Sequence, residues 1–167
     1  MDDQATLFHS ALRAAAEEVG AACAAAVEPL RDATDAPGAL AETARLLLAA
    51  CSDERSRALR RLAAAGSSTF PELLDEIQDA TSARLRSALA DRLARLTLAG
   101  RLRTPDPDIA ADQLLALLTG VLEYRSRLGT RELPATELDA IAAAAVRTFL
   151  SAYGTPGRSP QPSAGPV

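Results

Sequence analysis

Apolar residues recur three and four positions apart along almost the whole chain, and most of them are Ala or Leu. That spacing lays one buried stripe along a helix of 3.6 residues per turn. Ala and Leu give up little side-chain freedom when a helix forms, so they favour it. The residues that a sheet needs are scarce: aromatics make up 3% of the chain, and Trp is missing. The pattern predicts an all-α protein, a single antiparallel bundle of about six helices. A chain of 167 residues fits one such core and would struggle to fill a second.

Breakers divide the chain. The first helix is predicted from about Gln4 to Leu30, with Phe8, Leu12, Ala15, Val19, Cys23, Ala26 and Leu30 as its stripe. The run Arg31 to Pro37 is a turn, and a second helix follows from Pro37 to Cys51. Ser52 or Asp53 caps a third, which stops at Gly66. Hydroxyls ahead of Pro71 and Glu72 open a fourth, running to Ala99. Asp106-Pro107-Asp108 starts a fifth, expected to reach Gly129, and Pro134 opens the sixth. These helices form one predicted domain, 1–154; residues 155–167, mostly Pro, Gly and Ser, are predicted to be a disordered tail.

The fifth helix is apolar on more than one face, through Leu114, Leu115, Leu117, Leu118, Val121 and Leu122. A helix of that kind needs partners on both sides. The sixth offers small residues, Ala142 to Ala145, that allow a second helix to come close. A second copy of the same two helices would supply the missing partners. The expectation is a two-fold, four-helix contact built on Leu118, Leu122, Ile141, Ala145 and Phe149.

Charge narrows the function classes. The net charge is −4 and the isoelectric point about 5.1, which argues against a phosphate-binding surface and direct nucleic-acid contact. An acidic start argues against a signal peptide. No uncharged apolar run approaches the ~20 residues of a membrane helix, so the expected location is cytoplasmic. The two cysteines, Cys23 and Cys51, read as separate buried thiols, since their spacing supports no pair. With a single histidine, the sequence offers no metal cluster, no catalytic set and no cofactor fingerprint.

A pocket is better supported than a reaction. On the fifth helix Gln113, Leu117, Gly120 and Tyr124 share one face, and Gly120 in mid-helix costs ~1 kcal/mol against Ala unless its small size has a use. On the fourth, Gln78, Ser82 and Leu85 form a comparable mixed face. His9 sits at the edge of the first helix's stripe, with Arg13 one turn on. An apolar cavity between the first, fourth and fifth helices, carrying a few such polar groups, is the pattern of a small-molecule site.

Several phrases are similar to one family. The runs SDERSRALRRLAAAGSSTFPELLDEI, LAGRLRTPDPDIAADQLLALLTGVLEYRSRLG and ELDAIAAAAVRTFLSAYG, in that order, resemble the regulatory half of TetR-family transcriptional repressors. The Phe-Pro-Glu and Asp-Pro-Asp-Ile-Ala-Ala helix starts are the most specific pieces, and the resemblance spans residues 5 to 154. It implies a dimer with a cavity for a small hydrophobic ligand in each bundle. The family's helix-turn-helix would need roughly 40–50 residues ahead of that half, and only a few precede Leu7-Phe8. The expectation is a ligand sensor that lacks its own DNA-binding half and pairs with itself or with an intact relative. An enzyme that reuses the cavity to cyclise, dehydrate or isomerise a hydrophobic metabolite is an alternative, as is a natural-product carrier. A titratable group in the cavity with a displaced pKa would separate the enzyme from the others.

Overall fold

The computed structural model describes residues 3–156. Six α-helices run in chain order: α1 (Asp3–Ala26), α2 (Ala36–Ser52), α3 (Glu54–Gly66), α4 (Pro71–Leu98), α5 (Pro107–Arg125) and α6 (Ala135–Tyr153). No strand occurs among the described residues, and the expected all-helical bundle is what forms.

The helix starts follow from local chemistry. Asp35, Asp53 and Asp106 stand just ahead of α2, α3 and α5, and their carboxylates accept hydrogen bonds from backbone N–H groups of the first turn. Pro37, Pro71 and Pro107 occupy first-turn positions, where a missing N–H costs nothing. Two ends differ from expectation. The first helix stops at Ala26, and Glu28–Leu30 is a 3₁₀ turn, because Pro29 has no N–H to continue the ladder. The fifth stops at Arg125, since Arg127, Leu128 and Gly129 all take positive φ, at 51°, 58° and 85°. Ser126 holds that turn by accepting from the Gly129 N–H at 3.0 Å.

α2 is the central helix. It packs on α1, α3, α5 and α6, and its Leu40, Ala44, Leu47 and Leu48 are fully enclosed. Leu89, Leu93 and Leu96 of α4, Leu114, Leu118 and Leu122 of α5, and Ile141, Val146 and Phe149 of α6 complete the core. Burying each Leu is worth ~1.5–3 kcal/mol. The far end of α6 is tied down as well: the Arg103 N–H and guanidinium donate to the carbonyls of Tyr153 and Gly154, both at 2.8 Å.

The core occupies one end of the bundle. The longer first part of α4, Pro71 to Ala88, has no buried residue, and α3 buries only Ser56 and Gly66. This division positions the site described below.

The residues expected to form a dimer contact are corrected by the structure. Leu118, Leu122, Ile141, Ala145 and Phe149 are all buried inside the protomer's own core. The apolar side chains of α5 that do face outward are Ile109, Val121 and Tyr124, with Leu128 beside them in the following turn. The helical period was read correctly, but the two apolar faces of α5 were exchanged. The expected tail lies outside the described residues beyond Pro156. Among the described residues, no helix is long and apolar enough to cross a membrane.

Core truncation tests this division. Leu93→Ala should lower the unfolding free energy by ~2–5 kcal/mol in a urea titration. Leu98→Ala, at a position 88% exposed, should change it by no more than about 0.5 kcal/mol.

Candidate ligand cavity

Beside the core, the helices leave an open cavity of about 610 Å³. Its walls repeat the helical period. α1 contributes Leu12, Val19 and Cys23; α3 contributes Leu59, Arg60, Ala63 and Ala64; α4 contributes Leu74, Ile77, Gln78, Thr81, Ser82 and Leu85. Thr119 and Glu123, one turn apart on α5, close one side, and Cys51 at the end of α2 completes the wall with Ser56. The void follows from composition: α3 presents Ala63 and Ala64, and α4 presents Thr81 and Ser82, where larger apolar side chains would have filled the gap. Gln78 and Ser82 are exposed, so the cavity is open along that side of α4.

The wall is mixed: Ser56, Arg60, Ser67, Gln78, Thr81, Ser82, Thr119 and Glu123 stand among the apolar side chains. Thr81 and Thr119 donate back to carbonyls one turn earlier in their own helices, both at 2.8 Å. Arg60 donates to the Cys51 carbonyl at 3.0 Å, and among the described residues no carboxylate lies at ion-pair distance from it. Its remaining donors are available to the cavity.

Both cysteines are free thiols, as expected, Cys23 buried and Cys51 half-buried, and both border this cavity. Hydrogen bonding to Cys51 and then burial push the Cys23 thiol well above the usual range. Cys51 is lowered by the same bond first, and by the Arg60 guanidinium, against burial and the charges of Asp53 and Glu123. Cys51 is therefore the member that ionises first. Sequence spacing carried no sign that both reach one cavity, because the connection after α1 and almost all of α2 separate them. A free-standing sequence signal was the placement of both cysteines on the buried stripes of their helices.

Of the nine expected site residues, the structure brings Gln78, Ser82 and Leu85 to the cavity. The other six lie elsewhere. The His9 ring stacks edge-on to Phe70, with centroids 4.7 Å apart, and its buried Nε2 has no hydrogen-bond partner. Arg13 pairs with Glu76 at 3.3 Å in a groove of about 290 Å³ on the opposite side of α1 and α4. Gln113 accepts a hydrogen bond from the Tyr153 hydroxyl at 2.5 Å. Leu117 packs against the core, Gly120 faces open space and Tyr124 is 86% exposed. The expectation that Gly120 borders the cavity is corrected: the α5 face toward the void is Thr119–Glu123, rotated by one residue from the face that was read. Among the described residues no group of three or more His, Cys, Asp and Glu side chains is placed to hold a metal ion.

Residues 38–155 match the model of a family described as the C-terminal domain of AefR-like transcriptional repressors. The chain belongs to the TetR family of transcriptional regulators. A crystal structure from Mesorhizobium loti, assigned to the TetR-family transcriptional regulators, superposes with a TM-score of 0.80 at 30% identity. The match covers 92% of this chain and 76% of that one. No curated protein matches the chain. In this TetR-family domain the match begins inside α2, so α2 to α6 carry the family pattern while α1 adds the wall bearing Leu12, Val19 and Cys23.

The thiol assignment has a direct check. Iodoacetamide at limiting concentration should label Cys51 ahead of Cys23, and Cys51 labelling should persist at pH values below those that suppress a free cysteine. The sign follows from the lowered Cys51 pKa, which leaves thiolate present at lower pH. Peptide mass spectrometry over a pH series reads both; preferential labelling of Cys23 would overturn the order.

Proposed function

We propose that this chain is a ligand-binding, dimerising regulatory domain of the TetR type, and that its effector is a small, mainly apolar molecule held in the cavity between α1, α3, α4 and α5. The cavity itself carries the reading. Its volume of about 610 Å³ lies within the ~300–1,000 Å³ of small-molecule sites, and its wall combines an apolar set with polar side chains that could orient a ligand. Arg60 supplies donors for one acceptor on the ligand, while Leu12, Val19, Leu74, Ile77 and Leu85 take its apolar body.

The packing explains how occupancy would become a signal. Between Pro71 and Ala88 no residue of α4 is buried, and Leu85 alone packs against the core, so this stretch is the wall that moves at least cost. A ligand binding better to one position of α4 shifts the population toward that position, by no more than its difference in affinity for the two. The rest of the helix, fixed by Leu89, Leu93 and Leu96, stays in place.

The dimer reading rests on the outward face of α5, where Ile109, Val121, Tyr124 and Leu128 are exposed together around the uncrowded Gly120. The small Ala143 and Ala144, both exposed on α6, allow close approach beside it. Exposed apolar side chains grouped on one helix are the kind of surface that a second copy could cover.

Two substitutions separate the parts. Leu85→Trp should fill the cavity and weaken binding of an apolar fluorescent probe by at least about tenfold, with the helical circular dichroism intact. Equal binding by the variant would defeat the cavity reading. Val121→Arg places a charge on the outward face and should convert a dimer to a monomer in sedimentation without loss of helix. A wild type that is already monomeric at tens of micromolar would rule out the dimer.

A further inference from the structure

The cavity between α1, α3, α4 and α5 has two unlike ends. Gly66, at the end of α3, lies against the Phe8 ring, and Arg13 pairs with Glu76 at 3.3 Å. The late turns of α3 therefore share an end with the early turns of α1 and α4. The wall there is Leu12, Ala63, Ala64, Leu74 and Ile77, beside Ser67, which donates to the Ala64 carbonyl at 2.9 Å. The other end holds Ser56, Arg60, Thr119 and Glu123. Both hydroxyls at that end donate to backbone carbonyls, Ser56 to Ala50 at 2.5 Å and Thr119 to Leu115 at 2.8 Å. Arg60 and Glu123 are the groups left there with unused hydrogen-bonding capacity.

The two charges border one cavity yet do not pair. One guanidinium nitrogen of Arg60 donates to the Cys51 carbonyl at 3.0 Å, and another lies against Gly129. Gly129 belongs to the turn that hangs from Glu123, whose carbonyl accepts the Leu128 N–H at 2.8 Å. Among the described residues, no ion pair joins Arg60 to Glu123, or joins either of them to any other side chain. Arg60 is half-buried and held at two points, while Glu123 is exposed at the edge of the cavity. We infer that the effector carries a neutral, amide-type head at this end, its C=O accepting from Arg60 and its N–H donating to Glu123, with an apolar chain along Leu12, Leu74 and Ile77. The inference rests on the effector reading of this cavity and names the class of effector.

Charge selects this head over its relatives. Arg60 and Glu123 carry opposite charges, so an ionised carboxylate gains at Arg60 and loses at Glu123, and an ammonium group does the reverse. An ester accepts from Arg60 but brings no donor, which leaves the Glu123 carboxylate stripped of water without a partner. An amide meets both groups with charge-assisted hydrogen bonds, the stronger kind. Its planar shape presents acceptor and donor in fixed directions. Gln78 and Ser82 border the opening on α4 and carry no charge, so they leave this balance unchanged.

The test displaces an apolar fluorescent probe from the full chain at neutral pH, using compounds that share one alkyl chain: decanamide, decanoate, methyl decanoate and decylammonium. Decanamide should compete at a concentration about tenfold below each of the others. Glu123→Gln, at an exposed position, should weaken decanamide and strengthen decanoate, so that decanoate competes at the lower concentration. Arg60→Gln, with its helical circular dichroism intact, should weaken both and leave decylammonium ahead of them. Decanoate or decylammonium ahead of decanamide in the wild type would overturn the paired head site, as would an unchanged preference in Glu123→Gln. Equal competition by all the compounds, with the probe itself lost in Leu85→Trp, would leave the cavity reading standing and remove this one. Equal probe binding by Leu85→Trp would remove the cavity reading, and this inference with it.

Discussion

The packing of α2 against its neighbours is the constraint on which everything else depends. Leu40, Ala44, Leu47 and Leu48 form a stripe that meets α1, α5 and α6 with no exposure to water. Ala44 is as important as the leucines, because a small residue at that register lets the helices approach closely. Once α2 is fixed, its capped start at Asp35 and its last turn at Cys51 are fixed with it. The cavity wall inherits its position from the core in this way, although it contains little of the core itself.

Material runs short at the other end. A chain with so few aromatics has no large side chain with which to fill the space between long helices. Phe149 serves the core, while Phe8 and Phe70 stack on each other, 5.3 Å between ring centroids, at the beginning of α1 and α4. Between these two packed ends lies a stretch that carries no aromatic side chain on the cavity wall. A void there is a consequence of composition and helix length together, and a ligand could supply the apolar contacts that the protein leaves unmade.

How much of this was legible in the sequence depended on the range of the signal. Helix starts were legible because Asp35, Asp53, Asp106 and the first-turn prolines act on the nearest turn. The mixed α4 face bearing Gln78, Ser82 and Leu85 was legible for the same reason, since period alone groups them. Which face of α5 turns inward was not, because Leu117, Gly120 and Tyr124 on one side and Thr119 and Glu123 on the other have similar mixtures of size and polarity. Only the placement of α5 against α4 and α6 decides between them. That Cys23 and Cys51 border one cavity was beyond reach for a related reason: α1 ends at Ala26, and the 3₁₀ turn and loop after it set where α2 runs. The early stop of α5 depended on consecutive positive-φ residues at Arg127 and Leu128, side chains that give no warning of that backbone.

That early stop has a structural effect that connects the cavity to the outward face of α5. Gly129, at φ 85°, lies so close to Arg60 that a Cβ there would stand 2.7 Å from the guanidinium. The same guanidinium donates to the Cys51 carbonyl on the cavity wall. Arg60 therefore touches both the thiol-bearing wall and the turn that carries Leu128 and follows Tyr124. Glycine is required at 129 on two counts, the left-handed backbone and the space that Arg60 fills. A ligand that draws on the Arg60 donors or displaces the Cys51 carbonyl must be accommodated in part by this turn, because close-packed contacts move together and have no slack. The apolar face proposed to meet a second copy begins one residue before that contact. The physical link between effector site and subunit contact is then a single guanidinium held between two backbone segments, and its position follows from the α5 stop at Arg125 that the sequence period does not reveal.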